Sequence, residues 1–260
     1  MKIAITGKGG VGKTTLASIL AHLYAEEGKN VIAVDADPDA NLASALGIPQ
    51  DEAEKIKPIA EMADLIEERT GAKPGSLGGT FRLNPRVDDI PEGIGYRMNR
   101  ILLLTMGKVK VAASGCYCPE NVLLRSLLRH LIVKRSEVVI VDMEAGIEHF
   151  TRGTADSVDA FIVVVEPGQR SIQTARTVFE MAKNLGVQKV FVVANKVRGP
   201  EDNKFIEEHI SGPIIGSIGF SHAIMEADMQ GASPCSYSGE TVNEVRDIKI
   251  KIEMSLNPVQ

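Results

Sequence analysis

Short apolar runs alternate with helical patterns along most of this chain. Seven runs rich in branched apolar side chains predict strands, at Lys2–Thr6, Asn30–Asp35, Ile101–Thr105, Glu137–Asp142, Ala160–Glu166, Lys189–Ala194 and Ile214–Ile218. Because the interior positions of these runs are mainly apolar and do not alternate regularly with polar residues, they are typical of parallel strands that are buried on both faces.

Segments with helical periodicity separate these strands. The predicted helices are Thr14–Glu27, Ala60–Thr70, Pro119–Val133, Ser171–Leu185, Glu201–Glu208, Ser221–Gln230 and Thr241–Glu253. Regular alternation of strands and helices predicts an α/β fold with a doubly wound, mostly parallel sheet and helices on both of its faces.

Residues 50–115 interrupt this rhythm. Gly and Pro recur between Pro74 and Gly95, and no repeat is visible. The 260 residues suit one α/β domain, although length alone permits two. We therefore expect a single domain over residues 1–260, with an insertion at about 50–115 that forms a lid or an interface element.

Charge and composition limit the classes of partner that we expect this chain to bind. The net charge is −5, Trp is absent and no dense block of Lys and Arg occurs, which argues against a nucleic-acid partner. No apolar stretch approaches the roughly 18 residues of a membrane span, and no signal peptide is evident. We expect a cytoplasmic protein without a membrane span, in which closely spaced thiols bind metal or are redox-active.

The motif with the clearest chemistry follows the first predicted strand. Residues 7–15 read GKGGVGKTT, and their glycines let the backbone turn tightly and direct N–H groups at phosphate oxygens. Between a strand and a helix, this motif predicts a phosphate-binding loop. Lys13 is then expected to reach the β- and γ-phosphates, and the Thr14 hydroxyl to bind Mg²⁺. The nucleotide-binding residues of this loop are Gly7, Lys8, Gly9, Gly10, Val11, Gly12, Lys13, Thr14 and Thr15.

Lys8 is a second lysine inside this loop. It resembles the deviant Walker A signature of a family of dimeric ATPases that includes the nitrogenase iron protein, septum-site and chromosome-partition ATPases, and metallocentre-assembly ATPases. The resemblance implies that Lys8 reaches across a dimer interface to the partner's nucleotide. A cation supplied in this way stabilises the charge that develops during phosphoryl transfer. The alternative is that Lys8 binds phosphate only in its own subunit.

Two acidic motifs follow later strands. Residues 35–42 read DADPDANL and resemble the family's switch I, which implies that Asp37 orients the attacking water and that Asp35 supports Mg²⁺. These acids could instead cap the next helix. Residues 138–146 read VVIVDMEAG, a Walker B arrangement in which Asp142 holds Mg²⁺ through water. The spacing from Asp142 resembles switch II and implies that the Gly146 N–H senses the γ-phosphate.

An Asn–Lys pair follows another predicted strand, in VFVVANK at residues 190–196. The pair resembles a base-recognition turn, in which Asn195 can donate to and accept from a purine edge. Arg198 stands where GTPases usually carry an Asp, so guanine loses its usual acceptor and ATP is favoured over GTP. Asn also simply terminates strands, which is the alternative.

Two cysteines lie close together in GCYCPEN, at residues 115–121. In an extended segment Cys116 and Cys118 project the same way, and a following helix N-terminus favours the thiolate form. They supply half of a tetrahedral thiolate site, which a second copy related by a two-fold axis would complete. Two free thiols or a small redox pair remain alternatives. We expect Cys235 to be an incidental thiol. His149 is a possible further ligand or coupling residue, but a lone His more often has a structural role, so it is left out of the predicted metal ligands.

Five motifs together resemble those of the accessory ATPases of carbon monoxide dehydrogenase maturation. They are GKGGVGKTT, VDADPD, GCYCPEN, VDMEAGIEHFTRGTA and NKVR. That resemblance implies a homodimeric ATPase that inserts nickel into its client, carbon monoxide dehydrogenase or a related nickel enzyme. It implies ATP/ADP, Mg²⁺, and Ni²⁺ or Zn²⁺ shared between two subunits, since thiolates bind both ions. The alternatives are an acetyl-CoA synthase nickel-maturation ATPase and an iron–sulfur ATPase that donates electrons. A partition or positioning ATPase would not need GCYC.

Overall fold

The computed structural model describes residues 1–75, 80–107, 118–145, 152–155 and 157–256. Within these ranges eight strands form one sheet, in the order β3-β4-β2-β5-β1-β6-β7-β8. Every neighbouring pair is parallel except β3 and β4. The strands are β1 (Lys2–Thr6), β2 (Val31–Ala36), β3 (Tyr96–Met98), β4 (Ile101–Thr105), β5 (Val138–Met143), β6 (Ala160–Val165), β7 (Val190–Val197) and β8 (Ile214–Gly219). The seven predicted strands are confirmed, and β3 is an addition.

The seven predicted helices are also present, with small shifts of their ends. The helices are α1 (Lys13–Glu26), α2 (Leu42–Ala45), α3 (Gln50–Ala53), α4 (Ala63–Thr70), α5 (Ile90–Ile94), α6 (Pro119–Lys134), α7 (Arg152–Ala155), α8 (Gln169–Leu185), α9 (Pro200–His209), α10 (His222–Met229) and α11 (Gly239–Leu256). The helix predicted from Ala60 begins only at Ala63, because Met62 has a non-helical ψ of 76°. A 3₁₀ turn, Ile59–Glu61, precedes it.

Both faces of the sheet are buried, which explains the continuous apolar runs of its strands. Ile3 and Ile5 of β1 pack on the face covered by α1 and α11. Ala4 packs on the opposite face, where α6 and α8 contribute the core. The doubly wound, mostly parallel α/β fold expected from the sequence is therefore confirmed.

The described residues of the segment 50–115 belong partly to the main sheet. β4 pairs with β2 in parallel, and β3 adds an antiparallel edge strand with Tyr96 opposite Leu103. Helix α4 packs against α6 on one face of the sheet. The part of this segment after β3 thus forms sheet core, and its helices cover that core.

β1 occupies the position in the sheet where the strand order reverses. β5 and β2 lie on one side of β1, and β6, β7 and β8 lie on the other. Loops that follow β1, β2, β5 and β7 leave the same edge of the sheet, since these strands are parallel. In open α/β sheets ligands bind at such a switch point. Among the described residues, no helix has the length and apolarity that a membrane crossing requires.

Candidate active site

The GKGGVGKTT segment forms a tight loop between β1 and α1. Gly7 has a φ of 151° and Gly12 a φ of 95°, both in a region that side chains with a Cβ rarely adopt. A Cβ on Gly7 would overlap the Val164 carbonyl oxygen, and one on Gly12 would overlap the Asn195 amide. On the other side of the loop, no atom of the described residues lies within 4 Å of a Cβ built on Gly9. The loop therefore packs tightly on β6 and β7, and its opposite side is free of contacts with the described part of the chain.

Lys13 begins α1 and has a buried side chain. Its Nζ lies 3.8 Å from Asp37 Oδ2 and 3.5 Å from the Lys8 carbonyl oxygen. A buried ammonium requires anionic or carbonyl partners, and both contacts are long. Phosphate oxygens would complete this coordination. The structure thus brings together the lysine predicted to bind phosphate and the acid predicted to orient water.

Thr14 connects the loop to the end of β5. Its hydroxyl donates a hydrogen bond of 2.6 Å to Asp142 Oδ2. Asp142 is 1% exposed, and its Oδ1 is a buried oxygen without a hydrogen-bond partner among the described residues. Burial raises the pKa of Asp142 to about 7. An unpartnered buried carboxylate oxygen beside a hydroxyl suits a hydrated Mg²⁺, which prefers oxygen ligands and retains water. The residues present therefore fit the predicted ion.

Asp35 lies opposite Asp142 on the neighbouring strand β2. Its Oδ1 accepts from the Asp37 N–H at 3.3 Å, and its Oδ2 accepts from the Leu42 N–H at 2.9 Å. Burial raises the pKa of Asp35 to about 6. The carboxylate thus holds both ends of the loop that carries Asp37, and its bond to the first N–H of α2 agrees with the helix-capping alternative raised from the sequence. Magnesium support by Asp35 stays a prediction.

Asn195 lies behind the phosphate loop and is buried. Its Nδ2 donates to the Val11 carbonyl at 2.6 Å, and its Oδ1 accepts from the Lys196 N–H at 2.8 Å. In addition, Lys196 Nζ donates to the Gly10 carbonyl at 2.6 Å. The Asn–Lys pair therefore supports the loop from β7. Base recognition by Asn195 stays a prediction, and the support given by Lys196 was missed because the contact spans the sheet.

Lys8 makes an ion pair within its own chain. Its Nζ lies 3.2 Å from Glu166 Oε1, directly after β6. Sequence reasoning placed Glu166 only at the end of a predicted strand. The predicted action of Lys8 on a partner's nucleotide stays a prediction, and in this structure the lysine contacts Glu166.

A cleft of about 570 Å³ opens on the loop side of these residues. Its lining includes residues of the phosphate loop and of the segments after β2 and β5, namely Gly9, Gly10, Gly12, Lys13, Thr14, Thr15, Asp37 and Glu144, and residues of α10 and the segment after it, namely Ile224, Met225, Asp228 and Pro234. Its volume lies within the range of small-molecule sites, and both charged and apolar side chains line it. This lining suits a ligand that carries phosphates and an organic group.

Cys118 caps the N-terminus of α6, and Pro119 is the first residue of that helix. Its φ of −96° and ψ of 152° are extended, and the residue is buried. Cys116, Gly146 and His149 lie outside the described residues. Within the described ranges, no group of three or more His, Cys, Asp or Glu could hold a metal ion. Burial raises the pKa of Cys235 to about 11, which favours its protonated thiol.

Comparisons with known proteins agree with this geometry. The family model described as the CobQ/CobB/MinD/ParA nucleotide binding domain matches residues 2–234. The chain is 51% identical over 234 residues to the carbon monoxide dehydrogenase accessory protein CooC of Rhodospirillum rubrum, which covers 90% of this chain and 89% of the relative. It is 45% identical over 252 residues to an uncharacterised ATP-binding protein of Methanocaldococcus jannaschii, covering 95% and 96% of the two chains.

Solved structures share the fold. The septum site-determining protein MinD of Pyrococcus horikoshii, complexed with Mg-ADP, matches with a TM-score of 0.65 at 19% identity. The match covers 98% of this chain and 96% of that chain. At this identity the likeness shows a common architecture alone.

Proposed function

The chain belongs to the CobQ/CobB/MinD/ParA nucleotide-binding domain family, and from that premise we propose that it is an ATPase of carbon monoxide dehydrogenase maturation. In this proposal two copies enclose ATP and deliver nickel to the client enzyme. Support for the client comes from the 51% identity to an accessory protein of that enzyme, which extends over nearly the whole of both chains. Support for ATP hydrolysis comes from the arrangement of side chains that line the cleft.

One observation carries the hydrolytic part of this proposal. The Thr14 hydroxyl and Asp142 Oδ1, which has no hydrogen-bond partner among the described residues, lie beside a phosphate loop whose Lys13 contacts Asp37. Mg²⁺ bound there would neutralise phosphate charge. Lys13 would hold the transferred phosphoryl group, and Asp37 would orient the attacking water. Lys13 and Thr14 begin α1, Asp37 follows β2, and Asp142 lies near the end of β5. All of them meet at one edge of the sheet.

The metal-delivering part of the proposal depends on two copies of the chain. One Cys116–Cys118 pair supplies two thiolates, and a tetrahedral site needs four ligands. Cys118, the member of this pair that the structure describes, is buried and directly precedes α6. ATP binding and hydrolysis would change the dimer and hence the affinity of the shared site, as expected when two ligands favour different states.

Metal stoichiometry and oligomer mass, measured together with and without ATP, test the shared site. Wild-type protein offered Ni²⁺ or Zn²⁺ should bind about one ion per two chains, by the ligand count of a tetrahedral site. The double variant Cys116→Ser with Cys118→Ser should bind none and still bind nucleotide. Cys235→Ser is the matched control and should bind metal like the wild type. Stoichiometric metal in the double variant, or a protein that stays monomeric with both ligands, contradicts the proposal.

Activation of nickel-free carbon monoxide dehydrogenase tests the client. Addition of the protein with Ni²⁺ and ATP should accelerate the appearance of carbon monoxide oxidation, and ATP omission should abolish the acceleration. An equivalent assay with nickel-free acetyl-CoA synthase runs in parallel. Acceleration confined to acetyl-CoA synthase would assign the other client. Visible absorption of iron and sulfide in anaerobically purified protein would favour an electron donor instead.

A further inference from the structure

Glu166 holds two lysines beside the phosphate loop. Its Oε1 lies 3.2 Å from Lys8 Nζ, and its Oε2 lies 3.6 Å from Lys196 Nζ. Lys196 Nζ also donates to the Gly10 carbonyl at 2.6 Å. One carboxylate thus connects the extra lysine of the loop to the lysine that supports the loop from β7.

The backbone positions these three side chains. The Glu166 N–H donates to the hydroxyl of buried Ser171 in the first turn of α8, at 3.1 Å. Lys196 has a φ of 58°, a left-handed conformation that is uncommon for a residue with a Cβ. The fold therefore directs both the carboxylate and its second lysine toward the loop.

The cluster lies at the surface of the chain. The side chains of Lys8, Glu166 and Lys196 are 35%, 26% and 43% exposed. Ion pairs with this exposure are weak, since water and salt compete with both partners. Such a pair biases the position of Lys8 and can still be exchanged for a stronger anionic partner, such as a triphosphate.

We propose that Glu166 is a latch that holds Lys8 in its own subunit until two nucleotide-bound copies meet. This inference rests on the proposed function, in which Lys8 acts on the partner's nucleotide. Formation of the closed dimer then breaks two Lys8–Glu166 ion pairs, one in each subunit. The free-energy cost of breaking one pair therefore enters the free energy of dimerisation twice. Glu166 is a positioning residue that raises the protein concentration at which the closed, hydrolysing dimer forms, because it stabilises the open state.

Glu166→Gln tests the latch, because it keeps the shape and an accepting oxygen but removes the charge. With a non-hydrolysable ATP analogue and Mg²⁺, sedimentation equilibrium should show half-maximal dimerisation at a protein concentration about fivefold lower than in the wild type, if each pair has the strength of an exposed ion pair. ATP turnover per chain should rise at low protein concentration. Glu208→Gln on α9 is the matched control, because its carboxylate pairs with Lys204 at 4.0 Å. It should dimerise like the wild type.

The Lys8→Ala background shows whether Glu166 acts through Lys8. Adding Glu166→Gln to Lys8→Ala should not strengthen association, and a gain there overturns the latch. The latch is also overturned if Glu166→Gln reaches half-maximal dimerisation at the same protein concentration as the wild type or at a higher one. Failure of the proposed function gives a different result: Lys8→Ala would then hydrolyse ATP like the wild type. An inactive Lys8→Ala together with an unshifted Glu166→Gln rejects the latch alone.

Discussion

Thr14 and Asp142 are 128 positions apart in the chain, and a hydrogen bond of 2.6 Å joins their side chains. The bond connects the start of α1 to the end of β5 and uses one carboxylate oxygen of Asp142. The other oxygen is buried and unpartnered among the described residues. A buried acceptor without a partner is costly, so this arrangement indicates an oxygen reserved for a ligand.

Stability should depend on pH through the buried acids when nucleotide and Mg²⁺ are absent. Burial raises the pKa of Asp142 from 3.8 to about 7. The folded protein therefore binds more protons than the unfolded chain across this window, and the free energy of unfolding should fall as pH rises through it. Urea unfolding at pH 5 and pH 8 with a chelator measures the fall. Asp142→Asn keeps an oxygen for Thr14 and should show a smaller fall.

Asp35 contributes in the same direction, because burial raises its pKa to about 6. The comparison between wild type and Asp142→Asn therefore isolates one of the two groups. Asp247→Asn, a change at an exposed position of α11, should retain the full pH dependence. Equal dependence in Asp142→Asn and the wild type would show that the titration of Asp142 does not contribute.

Lys8→Ala should keep nucleotide binding and lose turnover. Lys13, Thr14 and the loop backbone still bind the phosphates, whereas the cation for the partner's transition state is gone. By analogy with an arginine finger, kcat should fall about 10³-fold. Nucleotide Kd and steady-state phosphate release, measured on the same preparation, separate the two effects. Lys204→Ala on the exposed face of α9 is the control for charge, and unchanged phosphate release in Lys8→Ala would refute the role.

Asn195→Ala distinguishes loop support from base recognition. Loss of the 2.6 Å bond leaves the Val11 carbonyl without this donor and should lower stability by about 1–3 kcal/mol. If support is the main role, the Kd values of ATP and GTP should rise by the same factor. Calorimetric titration with both nucleotides gives this ratio. A rise confined to ATP would instead assign base recognition to Asn195, and Asn30→Ala at the opposite edge of the sheet should change neither Kd.

Gly12→Ala and Gly9→Ala should differ in their effect on folding. The first places a Cβ against the Asn195 amide at a φ of 95° and should cost about 1–3 kcal/mol. The second places a Cβ where no described residue lies within 4 Å and should leave the free energy of unfolding within about 0.5 kcal/mol of the wild type. Urea unfolding of both variants without nucleotide measures the difference. Equal destabilisation would show that the contact with Asn195 does not constrain the loop.

Local sequence patterns were sufficient for most of the fold. The seven long strands are continuous apolar runs, and the phosphate loop is a contiguous motif, so both were predictable. Strand β3 was missed because it has only three residues, none of them buried. The helix expected from Ala60 begins only at Ala63, because the backbone of Met62 is not helical. A pattern of apolar residues does not predict this dihedral angle.

By itself the sequence determined the doubly wound architecture and predicted the residues that meet at the loop of residues 7–15, because burial periodicity and loop chemistry act over a few neighbouring positions. Only the tertiary structure decided how those residues are partnered. It assigned Asn195 to the Val11 carbonyl, Asp35 to the backbone of its own loop, and Lys8 to Glu166. These pairings depend on which strands become neighbours, and hydrogen bonds and ion pairs form wherever packing brings a donor to an acceptor.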